Sequence, residues 1–262
     1  MGSKNFTEQV VLGEIIAQHL EKELGISVER KLNLGGTLLA HEALKSGAID
    51  IYPEYTGTAL TAVLKQTPGS DASAVFDQVR REYAERWGLL WLKPLGFNNS
   101  FAMVVSTDVK SNTLTEAVTE KLWRLGVGYE FQQRADGLAG LLKAYPLRLR
   151  DAPISMDLGL LYSALQGGKV DMVAANSTDG LLSVLRVKVL TDDKRYFPPY
   201  ECSILVRDAA ASKNPSLVAV LRQLSGKFDD TKMRRLNYAV DGQHRSVNEV
   251  ASEALRQIEL GN

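Results

Sequence analysis

Short apolar runs alternate with helical patterns along the whole chain, and this alternation limits the possible folds more than any single motif does. Residues 2–4, 26–34 and 48–51 read as strands. Between them Val10, Val11, Ile15, Ala17, Leu20 and Leu24 recur at helical spacing behind a candidate cap at Thr7. Gly35-Gly36-Thr37 then turns the chain into a helix through Leu44. Strand–helix–strand–helix–strand order is the pattern of a parallel sheet wound by helices. Helices are expected next at 54–64 and 72–87, and strands at 89–92 and 101–106. A second cycle follows, with a helix at 114–125, a strand at 126–131, helices at 136–144 and 157–166, and a buried strand at 170–175. Strands at 187–190 and 203–206 precede three closing helices over 216–226, 230–240 and 247–260.

Two cycles imply two sheets, and the closing helices need a sheet to cover. The economical arrangement is a discontinuous first lobe, 1–104 with 203–262, and a second lobe, 105–202. Two hinge strands would cross near 104 and 202. Each lobe is then α/β, a mixed and mainly parallel sheet flanked by helices. Two lobes on a double hinge leave a cleft, a favoured place for a small-ligand site.

Composition narrows the partners. With 262 residues and 45% apolar content the chain can bury a good core. Acidic and basic residues balance at 31 each, so nucleic acid and an anionic membrane are not expected partners. The single cysteine, Cys202, excludes an intramolecular disulfide and a cysteine-based zinc site. His19, His41 and His244 are scattered, so neither a metal site nor a catalytic triad is expected. Gly35-Gly36 lacks the spacing of a phosphate-binding loop, no cofactor is implied, and Trp87, Trp91 and Trp123 read as core residues. No apolar run approaches the roughly 20 residues of a membrane helix, and no signal peptide precedes Gly2-Ser3-Lys4. If the protein is exported, trimming ahead of residue 2 is expected.

Asp50-Ile51-Tyr52-Pro53-Glu54-Tyr55-Thr56-Gly57-Thr58 carries the densest chemistry. An apolar run ends there, Pro53 suits the first turn of a new helix, and tyrosines and threonines follow beside exposed helix N–H groups. Tyrosine faces can hold a cation and threonine hydroxyls an anion. A capped helix with two partly buried tyrosines is the alternative reading of the same residues.

The ordered set Gly2-Ser3-Lys4-Asn5-Phe6-Thr7-Glu8, Asn33-Leu34-Gly35-Gly36-Thr37, Ile49 through Thr58, Gly96-Phe97-Asn98-Asn99, Arg134-Ala135-Asp136-Gly137, Met156-Asp157 with Gly159-Leu160-Leu161-Tyr162, Ser177-Thr178-Asp179-Gly180 and Asp192-Asp193 leading to Phe197-Pro198-Pro199-Tyr200 resembles, end to end, the osmoprotectant class of ABC-transporter substrate-binding proteins. The resemblance implies a two-lobed type II periplasmic-binding-protein fold. It also implies a guest such as glycine betaine, choline or carnitine in the interlobe cleft, and an ABC permease as partner. A monomer is expected, either periplasmic or a cell-surface lipoprotein, and no catalysis.

Carried over motif by motif, the resemblance makes Tyr55, Thr58 and Tyr200 ligand contacts and Lys4 a carboxylate contact. It makes Arg134 a clamp from the second lobe, whose alternative is a salt bridge with Asp136 or Glu130. Tyr52, Glu54, Thr37, Asn99 and Asp157 are further candidates, Asp157 reading first as a helix cap. A trimethylammonium has no N–H to donate, so aromatic faces and carbonyl dipoles must recognise it. At about 0.5–2 kcal/mol per ring, three or four rings supply much of a micromolar affinity, about 8 kcal/mol.

Two positions depart from the family's pattern: Phe101 stands where many members carry tyrosine, and Asn176 where another cage tyrosine is usual. Asn176 suggests a ligand with hydrogen-bonding groups near its cation, or weak binding of betaine; the alternative guest is another cationic or zwitterionic solute such as an amino acid or a thiol-bearing betaine. A sensory domain and an enzyme are the readings from other classes, and the chain lacks a nucleophile elbow, a Cys/His pair or metal spacing to support the latter.

Overall fold

The computed structural model describes residues 1–67 and 69–260. In chain order the elements are α1 (Thr7–Leu24), α2 (Thr37–Ser46), β1 (Ile51–Tyr55), α3 (Thr56–Thr58), α4 (Ala72–Trp87), β2 (Leu89–Trp91), β3 (Phe101–Ser106), α5 (Leu114–Glu120), β4 (Leu125–Val127), α6 (Tyr129–Gln133) and α7 (Leu138–Ala144). There follow β5 (Ile154–Ser155), α8 (Leu161–Gln166), β6 (Met172–Asn176), β7 (Val187–Val189), β8 (Cys202–Arg207), α9 (Asp208–Lys213), α10 (Ser216–Arg222), α11 (Asp230–Asp241) and α12 (Val247–Leu260). Contacts divide the chain into two compact units, Met1–Asn99 with Pro199–Asn262 and Ser100–Pro198.

In the first unit the sheet order is β1-β8-β2, and both pairings are antiparallel. This corrects the parallel order expected for the opening segments. Residues 2–4 and 26–34 form no regular strand. They run extended, with a single parallel bridge between Gly2 and Lys31 and a hydrogen bond from Gly2 N to Ile51 O at 2.8 Å that lays the N-terminus beside β1. Pro53 is likewise corrected: it lies inside β1 opposite Ile204, and the helix starts at Thr56. β1 pairs within the named sheet only with β8, so a residue without an N–H is tolerated there. After α3 the chain continues as a π-helix over Ala59–Val63, a wide turn often found at functional sites.

Helix α1 is nearly enclosed: Val11, Ile15, Ile16 and Ala17 have no accessible surface. It packs against α10, α11 and α12. Thr7 does not cap α1. Phe6 holds the cap position, and the Thr7 hydroxyl instead donates to Asp241 Oδ1 at 2.6 Å. A second cluster joins Leu44, Tyr52, Leu60, Val79, Tyr83, Trp91 and Leu205 between the sheet and α2 and α4.

The second unit holds a five-stranded mixed sheet, β5-β4-β6-β3-β7. β4 runs parallel to β5 and β6, whereas β3 is antiparallel to β6 and β7. Period-two alternation divides β3 between two cores, Met103 and Val105 to one face and Ala102 and Val104 to the other. The expected helix over 114–125 stops at Glu120, because Trp123 turns inward: its N donates to Arg148 O and its Nε1 to Ala117 O, both at 2.8 Å. The expected strand over 126–131 ends at Val127. Gly128 caps α6, which carries Phe131 into the core against Phe101. Asp157 stands at the cap position of a 3-10 turn over Leu158–Leu160, exposed and with no side-chain capping bond.

Candidate functional site

In the first unit the chemistry gathers around β1. Its alternating residues put Tyr52 and Glu54 on one side and Tyr55 at the strand's end, all buried. Glu54 is fully enclosed and collects three donors: Lys4 Nζ at 2.5 Å, Tyr52 OH at 3.1 Å and Tyr55 N at 2.7 Å. Lys4, 2% exposed, also donates to Thr37 Oγ1 at 3.0 Å, the first residue of α2. The Lys4 ammonium lies 5.1 Å from the Tyr55 ring centroid, and Phe6 stacks alongside at 6.3 Å. Lys4 is thus already bound to a carboxylate of its own chain.

The Tyr55 hydroxyl donates to Glu8 Oε1 at 2.6 Å, and Asn99 Nδ2 reaches the same oxygen at 2.8 Å. Asn237 Nδ2 donates to Glu8 Oε2 at 3.1 Å. Burial first, and then the Glu8 charge, push the Tyr55 phenol well above its ordinary value, so it keeps its proton and donates. Tyr200 is buried against the α3 backbone. A Cβ on Gly57 would stand 2.8 Å from its ring and 2.6 Å from Pro199 O, so only glycine admits this approach. Asn98 Oδ1 accepts Tyr200 N at 2.6 Å, and Asn99 N donates to Tyr200 O at 3.1 Å, tying Tyr200 to the Gly96-Phe97-Asn98-Asn99 motif. Thr58 is buried in α3. Lys4, Thr37, Tyr52, Glu54 and Tyr55 therefore form one connected set, and Tyr55 is linked through Glu8 to Asn99 and onward to Tyr200.

In the second unit Phe101 and Asn176 face each other in the β3–β6 register. The Phe101 ring meets Phe131 edge-on at 4.9 Å and Phe197 at 5.9 Å, and the Arg134 guanidinium carbon lies 4.9 Å from its centroid. Arg134 makes the salt bridge of its alternative reading: Nε donates to Asp136 Oδ1 at 2.9 Å and the fork closes on Oδ2, with Glu130 at 3.8 Å. Asp179 accepts Asn176 N and Tyr162 OH, both at 3.0 Å, which fixes the turn after β6. Asp192 accepts Tyr196 N at 2.9 Å, Phe197 N at 2.8 Å and Tyr145 OH at 2.5 Å, holding Phe197 against Phe101. Phe101, Arg134 and Asn176 thus share one end of the sheet, whereas Asp157 is exposed at the head of its own turn.

Glu8 and Asp192 were not among the residues singled out as contacts. Glu8 gives one sequence signal, an acid in the first turn of a helix at the end of a motif, where the helix N-terminus favours its charge. Asp192 gives only its place before Phe197-Pro198-Pro199-Tyr200. Among the described residues no His, Cys, Asp and Glu cluster could hold a metal, and no helix is long and apolar enough to cross a membrane.

Residues 1–257 match the family profile of the substrate-binding domain of ABC-type glycine betaine transport systems. The ergothioneine transport permease/ergothioneine binding protein EgtU of Helicobacter pylori strain G27 is 33% identical over 266 residues, covering 99% of this chain and 47% of its own length, so the chain spans about half of that relative. A glycine-betaine-binding protein of Pseudomonas aeruginosa PAO1 is 33% identical over 275 residues, covering 99% of this chain and 88% of its own. The crystal structure of a glycine betaine/carnitine/choline ABC transporter superposes with a TM-score of 0.80 at 29% identity, covering 98% of this chain and 97% of that one. With its motifs, its α/β architecture and a match along almost its full length, the chain belongs to the family of substrate-binding domains of ABC-type glycine betaine transport systems.

Proposed function

We propose that the protein captures a betaine-type quaternary ammonium solute, such as glycine betaine, carnitine or choline, and delivers it to the membrane permease of an ABC importer. The match to the glycine betaine transport family over residues 1–257 carries this reading. Tyr55, Tyr200 and Phe101 supply aromatic faces to the cation, and the Thr58 hydroxyl and Arg134 meet the anionic end. Lys4 and Arg134 are paired with Glu54 and Asp136, so each would meet the anion as a hydrogen-bond donor within a neutral pair rather than as an unpaired charge. Catalysis is not part of this role, and we place the protein outside the cytoplasmic membrane as a monomer, periplasmic or lipid-anchored.

A second guest has its own support. Asn176 offers an amide where a cage ring is usual, and the Helicobacter relative carries ergothioneine in its name. A betaine bearing a polar ring could use that amide, whereas glycine betaine could not. A thermal-shift screen of glycine betaine, carnitine, choline and ergothioneine tests both readings. A bound solute at about 100 times its Kd stabilises by about 2.7 kcal/mol. Stabilisation by ergothioneine alone favours the second guest, and stabilisation by none of the four sinks the proposal.

A further inference from the structure

We propose that Glu8 is a positioning and specificity-determining residue, one that makes the first unit select a cationic over a neutral head group by acting through Tyr55 and Asn99. The inference rests on the betaine reading above. Glu8 sits in the first turn of α1, 2% exposed, and takes the Tyr55 hydroxyl, the Asn99 amide and the Asn237 amide as donors. Three donors and a helix N-terminus define an acceptor, the carboxylate form.

Two consequences follow for a guest of Tyr55. A phenol that donates to a carboxylate passes electron density into its ring, and the negative ring face is what attracts a cation. A carboxylate can only accept, so the Asn99 amide must turn its Nδ2 toward Glu8. Asn99 Oδ1 is then left buried with no hydrogen-bond partner among the described residues. A buried carbonyl oxygen without a donor is a poor neighbour for a neutral alkyl group and a good one for the polarised methyls of a trimethylammonium. Glu54, which also accepts a tyrosine hydroxyl in the first unit, differs because the Lys4 ammonium is its closest partner.

The test compares glycine betaine with 3,3-dimethylbutanoate, which keeps the carboxylate and replaces the trimethylammonium by a tert-butyl group of the same shape. Calorimetry on wild type should give a large preference for betaine. Glu8→Gln should reduce that preference by roughly tenfold, the effect of one unit charge several ångströms away in a partly screened site. Glu8→Asp should restore most of it. A merely structural role lowers both affinities in parallel, and an unchanged ratio in Glu8→Gln overturns the inference. Should Glu8→Gln fail to fold, Tyr55→Phe keeps the ring and removes its link to Glu8, and the ratio must fall there too. Wild type that binds neither betaine nor any other quaternary ammonium overturns the functional reading together with this one. Wild type that binds, with a ratio unmoved by either variant, overturns this inference alone.

Discussion

Removing the Lys4 ammonium should cost far more stability than removing any exposed lysine. Glu54 has no accessible surface and Lys4 has 2%, so without Lys4 the carboxylate keeps only Tyr52 OH and Tyr55 N. Two neutral donors do not balance a buried charge. Breaking one partner of such a pair costs about 3–5 kcal/mol, and the Lys4 bond to Thr37 Oγ1 is lost as well. Lys4→Met is therefore expected to lower the unfolding free energy by about 4 kcal/mol and Glu54→Gln by about 3 kcal/mol. The double variant leaves no unpaired charge, and the carbonyl of the introduced amide can still accept Tyr55 N. It should cost about 2–3 kcal/mol less than the sum of the single variants. Urea unfolding of the ligand-free protein followed by circular dichroism gives all three values. Lys22, paired with Glu259 across an exposed surface with side chains 54% and 46% accessible, is the control, and Lys22→Ala should change stability by less than about 1 kcal/mol. A Lys4→Met cost below about 1 kcal/mol, or additive single variants, would refute the argument that this pair is a buried, mutually dependent unit.

Three further outcomes follow from local geometry. Burial among Tyr83 and Trp87, helped by the Lys45 charge, pulls His41 down to about 4 from its ordinary 6.5, so the unfolded chain takes up the proton first as pH falls. Stability is fully present above 6.5 and should fall at up to about 1.4 kcal/mol per pH unit between 6.5 and 4; His41→Leu should flatten that part of the urea-midpoint profile. Gly57→Ala should displace Tyr200, costing about 1–3 kcal/mol of stability and weakening solute binding in the same preparation, as read by urea unfolding and titration. Asp192→Ala removes the acceptor for Tyr145, Tyr196 and Phe197, and should cost about 2–4 kcal/mol in urea unfolding, with altered near-ultraviolet dichroism from the freed rings.

Local signals were sufficient for the elements whose periodicity had no competitor. Helix α4 and strand β3 lie at their expected positions, and α12 spans 247–260 as read from its apolar spacing. The errors fall where a distant partner decides. Pro53 suits a helix start in isolation, but β8, from about 150 residues further along, accepts it within an antiparallel pair. Gly126-Val127-Gly128-Tyr129-Glu130-Phe131 alternates like a strand, yet packing Phe131 on Phe101 favours a helix after Gly128. Tyr55, Tyr200, Phe101 and Arg134 became candidates through the family's motifs, with Tyr55 alone also legible from the chemistry of its own segment. That Lys4 is held by Glu54, and Tyr55 by Glu8, depends on side chains about 50 positions apart meeting around β1. No period or spacing in a single sequence encodes that meeting.

The most direct measurement is a calorimetric titration of the ligand-free protein with the solute that stabilises it most among glycine betaine, carnitine, choline and ergothioneine. Saturable one-to-one binding at micromolar Kd or tighter is expected, with a negative heat-capacity change as aromatic and alkyl surface is buried. Tyr55→Ala should weaken it by at least about tenfold, the loss of one desolvated cation–π face. Absence of heat with all four solutes, or full affinity in Tyr55→Ala, would contradict the proposed function.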